Sequence, residues 1–205
     1  MNEPNKKTIS IYCANCHENT KDSEIYNILS KKYNIVVNEF SPDFLFCNVF
    51  GDDFLRYSNC VKVFLPYENV IPDFNIFDYG TGYEYINFGK RYYRRNCFTE
   101  KITPAIQDRS EVDEKMLNRK FCNFIYSNSN SGEGAELRKE FCERLMNYKR
   151  VDCPGIVLNN MERNVINEIY IDDWQSSKIA FQREYKFTIA FENCATEGWV
   201  TEKPI

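Results

Sequence analysis

The chain has 205 residues, of which 43% are hydrophobic and 27% are charged, as in an ordinary globular protein with one large core or two small ones. A formal net charge of -4 argues against nucleic acid as the main partner. Residues 1–7 lack the apolar core of a signal peptide, and no apolar run is long enough to cross a membrane. We therefore expect a cytoplasmic protein from the sequence as given.

Nine cysteines are scattered along the chain, several of them inside apolar segments, as is typical of buried free thiols. One group, Cys13-Ala-Asn-Cys16-His17, matches the C-x-x-C-H pattern of haem attachment and offers three ligands for zinc. However, His17 is the only histidine and no second pair of cysteines completes a metal site. We therefore interpret the match as coincidental and expect neither a metal nor a cofactor.

The first part of the chain alternates apolar segments with a helical pattern. The helix is predicted over residues 22–32, and the strands over residues 8–12, 33–37, 44–50, 61–65 and 74–79. Strands that alternate with helical or loop crossovers predict an α/β domain with a mainly parallel sheet. The polar residues 98–119 show little periodicity and are the predicted linker between two domains, 1–97 and 120–205.

The second domain begins with a predicted strand over residues 121–126 and a loop rich in serine, asparagine and glycine over residues 127–134. A helix is predicted over residues 135–146, with Leu137, Phe141 and Leu145 at the spacing of a face that packs against a sheet. A short strand and turn follow within residues 148–155. Residues 156–184 have no clear pattern.

The most informative stretch comes last. The apolar run 186–191 predicts a buried central strand, and polar Glu192 and Asn193 end it. After a loop, Thr201 can cap a new helix with Glu202 and Lys203 in its first turn. A strand, a polar loop and a helix N-terminus are typical of a phosphate-binding site for a nucleotide. A buried strand followed by an ordinary capped helix, without a ligand, gives the same pattern.

The particular residues in this stretch favour the first interpretation. Y-K-F-T-I-A-F-E-N at 185–193 and V-T-E-K at 200–203 resemble the donor-binding signature of the GDP-fucose-dependent α1,3-fucosyltransferases, glycosyltransferase family 10. Three further segments resemble that family in the same order: 63–82 with V-F-L-P-Y-E-N and P-D-F-N-I-F-D-Y, the Arg91-Tyr92 pair, and 121–152 with S-N-S-N and Y-K-R-V-D. The resemblance thus covers nearly the whole chain.

The resemblance implies a GT-B-like fold, with two Rossmann-like α/β domains of which the C-terminal one is incomplete. Residues 1–97 would bind a glycan acceptor and carry the base, and residues 120–205 would be the N-terminal part of the GDP-fucose-binding domain. The activity implied is inverting transfer of L-fucose, with α1,3 linkage to GlcNAc or Glc. No Asp-x-Asp motif for a divalent cation is present, so we expect no obligatory metal. A Golgi membrane location would need an N-terminal anchor outside this sequence.

Candidate roles follow for individual residues. Glu68 ends an apolar segment at the edge where α/β proteins bind ligands, and the E-N match makes it the candidate general base; a solvated loop carboxylate is the alternative. Arg138 follows the Ser/Asn loop and can bind diphosphate, unless it is an ordinary exposed helical arginine. Lys203 would add a second positive charge. The remaining donor-site candidates are Glu192, Asn193, Glu202 and Trp199, whose ring can stack on the donor.

Two other functions stay open on the sequence alone. One is transfer from a different nucleotide sugar by the same architecture, which competition between GDP-fucose and GDP-mannose would separate. The other is a degenerate protein that binds a nucleotide sugar or glycan without turnover. Strand 186–191 also needs neighbours on both sides, so we expect the donor domain to be loose in this chain and the chain alone to lack transferase activity.

Overall fold

The structure is a computed structural model that describes residues 6–16, 18–95, 114–128, 132–162 and 174–201. The chain divides into two compact units, residues 1–95 and 96–205. Each unit contains its own parallel sheet. The predicted class, α/β with mainly parallel sheets in two Rossmann-like units, is confirmed. Residues 98–113 of the predicted linker lie outside the described residues, and the linker assignment stays a prediction.

The N-terminal unit contains a six-stranded sheet in the order β2-β1-β3-β4-β5-β6, with every neighbouring pair parallel. Its elements are β1 Thr8–Ala14, α1 Glu24–Ser30, β2 Asn34–Val37, β3 Phe44–Cys47, β4 Val61–Phe64, β5 Tyr79–Gly82 and β6 Tyr92–Arg94. The Ser23 side chain accepts a hydrogen bond from the Tyr26 N–H and thereby fixes the start of α1. A parallel arrangement brings the carboxyl ends of all six strands to one edge of the sheet.

The core of this unit is built from the apolar runs that predicted its strands. Ile11 and Leu45 are fully buried, and burial of one such side chain stabilises the fold by about 1.5–3 kcal/mol. The fifth strand was misplaced in the sequence analysis: residues 74–76 form a turn, and the strand begins at Tyr79. Strand β6 was not predicted.

The C-terminal unit has a three-stranded parallel sheet in the order β8-β7-β9 within the described residues. Its elements are α2 Glu114–Leu117, β7 Lys120–Asn123, α3 Glu133–Tyr148, β8 Val151–Asp152, α4 Trp174–Gln182 and β9 Tyr185–Thr188. Phe124, Cys142 and Val151 are fully buried in the cluster that joins α3 to the sheet. Helix α4 was not predicted, because residues 156–184 showed no clear pattern.

Two expectations for this unit are wrong in part. Of the predicted apolar face of α3, Leu145 packs against the core, whereas Leu137 and Phe141 are 50% and 43% exposed. The buried residues of this helix are Gly134, Ala135, Arg138 and Cys142. The apolar residues of the last strand do not all point into a core either, since Phe187 is 59% exposed. In the described part of the chain, β9 pairs with β7 on one side only and is an edge strand.

Candidate functional site

Glu68 lies four residues beyond the end of β4, at the carboxyl edge of the N-terminal sheet, where parallel α/β sheets bind ligands. The preceding Pro66 is fully buried and anchors the segment, whereas the Glu68 side chain is exposed. The Val70 N–H donates to the Glu68 carbonyl oxygen at 2.8 Å, which turns the chain directly after the carboxylate. The position of Glu68 is as the sequence predicted, and its role as a base stays a prediction.

Two arginines and two tyrosines from neighbouring strand ends lie at the same edge. The guanidinium carbon of Arg95, directly after β6, is 5.1 Å from the ring centroid of Tyr67. The Arg94 guanidinium stacks at 3.9 Å from the Tyr85 ring centroid and donates through Nε to the Tyr83 carbonyl oxygen at 2.8 Å. Because Tyr67 immediately precedes Glu68, this edge combines a carboxylate with exposed aromatic rings, a suitable surface for a sugar.

Asn48 is a residue of this edge that the sequence analysis missed. It directly follows β3 and is 1% exposed. Its Oδ1 accepts from the Val49 N–H at 2.7 Å, while its buried Nδ2 has no acceptor among the described residues. A buried amide donor without an acceptor is costly, so it marks a place where a ligand or water would be bound. A lone asparagine after an apolar strand was too weak a signal to single out.

Arg138 lies in the second turn of α3 and is 3% exposed, which excludes the alternative of an ordinary exposed helical arginine. Its Nη2 donates to the Asn128 carbonyl oxygen at 2.7 Å, in the loop that follows β7. Burial lowers the pKa of Arg138, and the nearby Tyr126 and Glu192 offset this shift only in part. The described residues form no salt bridge with Arg138.

Tyr126 connects this arginine to the segment that follows β9. The Arg138 guanidinium lies 3.9 Å from the Tyr126 ring centroid, a cation–π contact. The Tyr126 hydroxyl lies 3.1 Å from the Ile189 carbonyl oxygen and 2.9 Å from that of Phe191, and donates to them. These two carbonyls lie three residues and one residue before Glu192, so one tyrosine positions both the buried cation and the Glu192 loop.

Glu192 and Thr201 close the loop between them. Glu192 Oε1 accepts from the Thr201 N–H at 2.6 Å, and both of its carboxylate oxygens lie 2.8 Å from the Thr201 hydroxyl. This arrangement holds the two ends of the loop together. Contact of Glu192 with a nucleotide stays a prediction.

Asn193 and Trp199 pack inside the same loop. Trp199 is 5% exposed, and its Nε1 donates to Asn193 Oδ1 at 3.3 Å. The first turn of α3 lies directly against this loop, because a Cβ on Gly134 would stand 2.3 Å from the Asn193 carbonyl oxygen. The structure thus gives Trp199 and Asn193 packing roles, while their contacts with a donor stay predictions.

The structure therefore brings together four of the predicted donor-site residues: Arg138, Glu192, Asn193 and Trp199. Glu202, Lys203 and the helix expected after Thr201 lie outside the described residues, as does His17. Among the residues that the structure describes, no group of three histidine, cysteine or acidic side chains is arranged to hold a metal ion. No helix in that part of the chain is long and apolar enough to span a membrane.

Comparison with known proteins agrees with this arrangement. Residues 11–100 match the family described as the alpha-(1,3)-fucosyltransferase FucT N-terminal domain. The chain is 31% identical to the alpha-(1,3)-fucosyltransferase FucT of Helicobacter pylori over 229 aligned positions, which cover 90% of this chain and 44% of that protein. A shorter match of 68 residues is 40% identical to GDP-fucose protein O-fucosyltransferase 3 of Xenopus laevis and covers 32% of this chain and 14% of that protein.

A solved structure of an α1,3-fucosyltransferase with GDP-fucose superposes with a TM-score of 0.70 and 26% identity, over all of this chain and 66% of the other. The chain thus spans less than two thirds of the length of these relatives. The similarity nevertheless extends through both units, and the predicted GT-B fold is confirmed. The chain is thus similar to the α1,3-fucosyltransferases, glycosyltransferase family 10, through both of its units.

Proposed function

We propose that this chain supplies the acceptor domain and the first part of the donor domain of an enzyme that transfers L-fucose from GDP-fucose to a hydroxyl of a glycan. The observation that carries the proposal is the buried Arg138 guanidinium on the first half of α3, next to the Glu192–Thr201 loop. The solved relative that contains GDP-fucose supports the identity of the donor.

The donor half has to stabilise the diphosphate as the bond to fucose breaks. A guanidinium can donate two parallel hydrogen bonds to phosphate oxygens. Because Arg138 is buried, little water competes for these hydrogen bonds, which makes them stronger. The nearby N-terminus of α3, a helix of 16 residues, adds N–H groups that favour an anion. We assign Lys203 as a second cation for the same leaving group. This assignment requires no metal ion.

The acceptor half has to remove a proton from the attacking hydroxyl. We assign this step to Glu68, an exposed carboxylate at the carboxyl edge of a sheet whose neighbouring tyrosine rings can hold a sugar. One base and no enzyme nucleophile imply a single displacement with inversion, from the β-linked donor to an α-linked product. GlcNAc or Glc is the proposed acceptor sugar, with linkage through its 3-hydroxyl.

The test is transfer by a version of the protein that extends to the length of the solved relatives. N-acetyllactosamine and lactose serve as acceptors, with GDP-fucose and GDP-mannose as competing donors, and the anomeric configuration is read by NMR. We expect α-linked fucose and preference for GDP-fucose. Transfer to protein serine or threonine would correct the acceptor, and binding of GDP-fucose without transfer to any hydroxyl would favour a non-catalytic protein.

A matched pair of variants tests the base in the same assay. Glu68→Gln should lower turnover by about 100-fold or more, because the amide cannot accept the proton, and should leave GDP binding nearly unchanged. Glu39→Gln, at another exposed glutamate of the same unit, should leave turnover unchanged. Near-normal turnover by the Glu68 variant would eliminate Glu68 as the base.

A further inference from the structure

The C-x-x-C segment of the N-terminal unit forms a fixed turn at the carboxyl end of β1. Asn15, between the two cysteines, has a φ of 58°, a left-handed conformation that asparagine tolerates better than most residues. Its side chain is held at both ends: Nδ2 donates to Asp53 Oδ2 at 2.8 Å, and Oδ1 accepts from the Asp53 N–H at 3.1 Å. The turn is therefore held in place by hydrogen bonds.

The turn places two thiols in the same part of the core. Cys16 packs against the cluster that contains Cys13, its Sγ donates to the Ala14 carbonyl oxygen at 3.5 Å, and the Cys13 Sγ lies 3.7 Å from the Ser23 hydroxyl. The Cys16 thiol lowers the pKa of Cys13 to about 7, although burial opposes the shift. Cys13 is 8% exposed and Cys16 is half-buried, so Cys16 is the more accessible residue of the pair.

The C-terminal unit contains a second thiol pair that serves as an internal comparison. Cys142 on α3 and Cys153 after β8 have their sulfur atoms 3.9 Å apart, within hydrogen-bond contact. Both side chains are fully buried in the hydrophobic core. The two pairs differ in access to solvent, since only the N-terminal pair has a half-buried member. Thiol–disulfide exchange requires that the attacking sulfur can reach the small disulfide.

We propose that Cys13 and Cys16 are a reversible thiol–disulfide site that low-molecular-weight disulfides, such as oxidised glutathione, convert to an intramolecular disulfide. One protein thiolate attacks the small disulfide, forms a mixed disulfide and releases one small thiol. The second protein thiolate then displaces the other small thiol. Overall, two protein thiols lose two electrons and two protons, and one small disulfide is reduced to two thiols.

The position of the C-x-x-C turn in the N-terminal sheet means that formation of the disulfide would affect the proposed acceptor site. Strands β1 and β4 are parallel and separated only by β3, so the C-x-x-C turn lies at the edge that also carries Glu68. Oxidation would therefore change the edge to which the acceptor is assigned. Only this consequence depends on the proposed function; the disulfide itself is tested without any transferase assay.

The test is the redox state of each cysteine in the 205-residue chain. The reduced protein is equilibrated in glutathione buffers of increasing oxidised fraction, quenched with acid, alkylated after unfolding and mapped by peptide mass spectrometry. We expect the Cys13–Cys16 disulfide to form at least about tenfold faster than any disulfide between Cys142 and Cys153, which stay reduced while the protein is folded. Circular dichroism of the oxidised sample checks that the fold is intact.

Two variants complete the design. Cys13→Ser should abolish the internal disulfide and leave Cys16, the more exposed residue of the pair, as a glutathione adduct, since the second displacement then has no thiol. Cys60→Ser, at another half-buried cysteine, should leave the internal disulfide unchanged. Separate glutathione adducts on Cys13 and Cys16 in the wild type, faster oxidation of the buried pair, or a disulfide that forms only as the circular dichroism of the fold is lost would each overturn the proposal.

Discussion

Replacement of Arg138 by alanine is the sharpest test of the donor half. The change removes a guanidinium that is 3% exposed and that we assign to the diphosphate. A hydrogen bond between charged groups contributes about 1.5–3 kcal/mol, so the loss of one such bond weakens GDP binding roughly 10- to 150-fold. Guanosine lacks the diphosphate, and its affinity should change far less. Calorimetric titration of the variant with both ligands measures the difference.

The same substitution also affects the fold, and the assay has to separate the two effects. Alanine removes the hydrogen bond to the Asn128 carbonyl oxygen and the stacking on Tyr126. Together these losses cost about 1–3 kcal/mol of the free energy of unfolding. Urea denaturation therefore has to show that the variant is folded under the conditions of the titration.

Arg144 provides the matched control, because it lies on the same helix with its side chain 78% exposed and pairs with Glu140 at 2.5 Å. An exposed pair of this kind contributes about 0–1 kcal/mol, so Arg144→Ala should leave both ligand affinities unchanged. Arg138→Lys keeps the positive charge but lacks the planar guanidinium that donates two parallel hydrogen bonds, so it should give an intermediate GDP affinity. Equal losses for GDP and guanosine would indicate a folding defect, and an unchanged GDP affinity would refute the assignment of Arg138 to phosphate.

Two further predictions concern stability. Gly134→Ala should destabilise the C-terminal unit by about 1–3 kcal/mol in urea denaturation, since the new Cβ would lie 2.3 Å from the Asn193 carbonyl oxygen; a wild-type midpoint would contradict the close approach. Burial raises the pKa of Asp152, but hydrogen bonds from Arg150 and Tyr185 outweigh it and hold the pKa below its usual value. Its carboxylate therefore stabilises the fold above about pH 4, and this contribution is lost as the pH falls through the folded-state pKa. Asp152→Asn should be less stable than the wild type at pH 6 and approach it near pH 3, whereas a constant difference would be evidence against the linkage.

The strands that the sequence predicted well are those whose apolar side chains are buried in the sheet. Strand β3 is an example, since its four residues are apolar and three of them are buried. Strand β5 was misplaced because it contains Gly80 and Gly82, which carry no side chain to reveal a period of two. A Cβ on Gly80 would lie 2.5 Å from the Pro72 ring, so the glycine is required by a contact that only the folded chain shows.

The sequence predicted which residues form the candidate site better than it predicted the contacts of those residues. The resemblance identified Arg138 from its place in a motif, yet the helical spacing wrongly placed Leu137 and Phe141 on the buried face of α3. Phe141 instead packs on Phe191, with ring centroids 4.8 Å apart. No local pattern predicts that a helix buries an arginine, because the aromatic ring that stacks on it lies in another element.

The burial of Arg138 is itself an argument for an anionic ligand. A guanidinium has five N–H donors and is costly to bury unless charge or hydrogen bonds compensate. Within the described residues it finds one carbonyl oxygen and one ring face, and no carboxylate forms a salt bridge with it. A purely structural arginine at this position would be better replaced by an apolar residue of similar size. A diphosphate is the kind of ligand that would satisfy the remaining donors. Arg138→Met should therefore cost the unliganded protein less stability than Arg138→Ala, because it keeps the packing volume, while GDP binding is lost. Thermal denaturation with and without GDP distinguishes the two roles. If Arg138→Met changes the melting temperature by the same amount in both conditions, the arginine is structural and the donor site lies elsewhere.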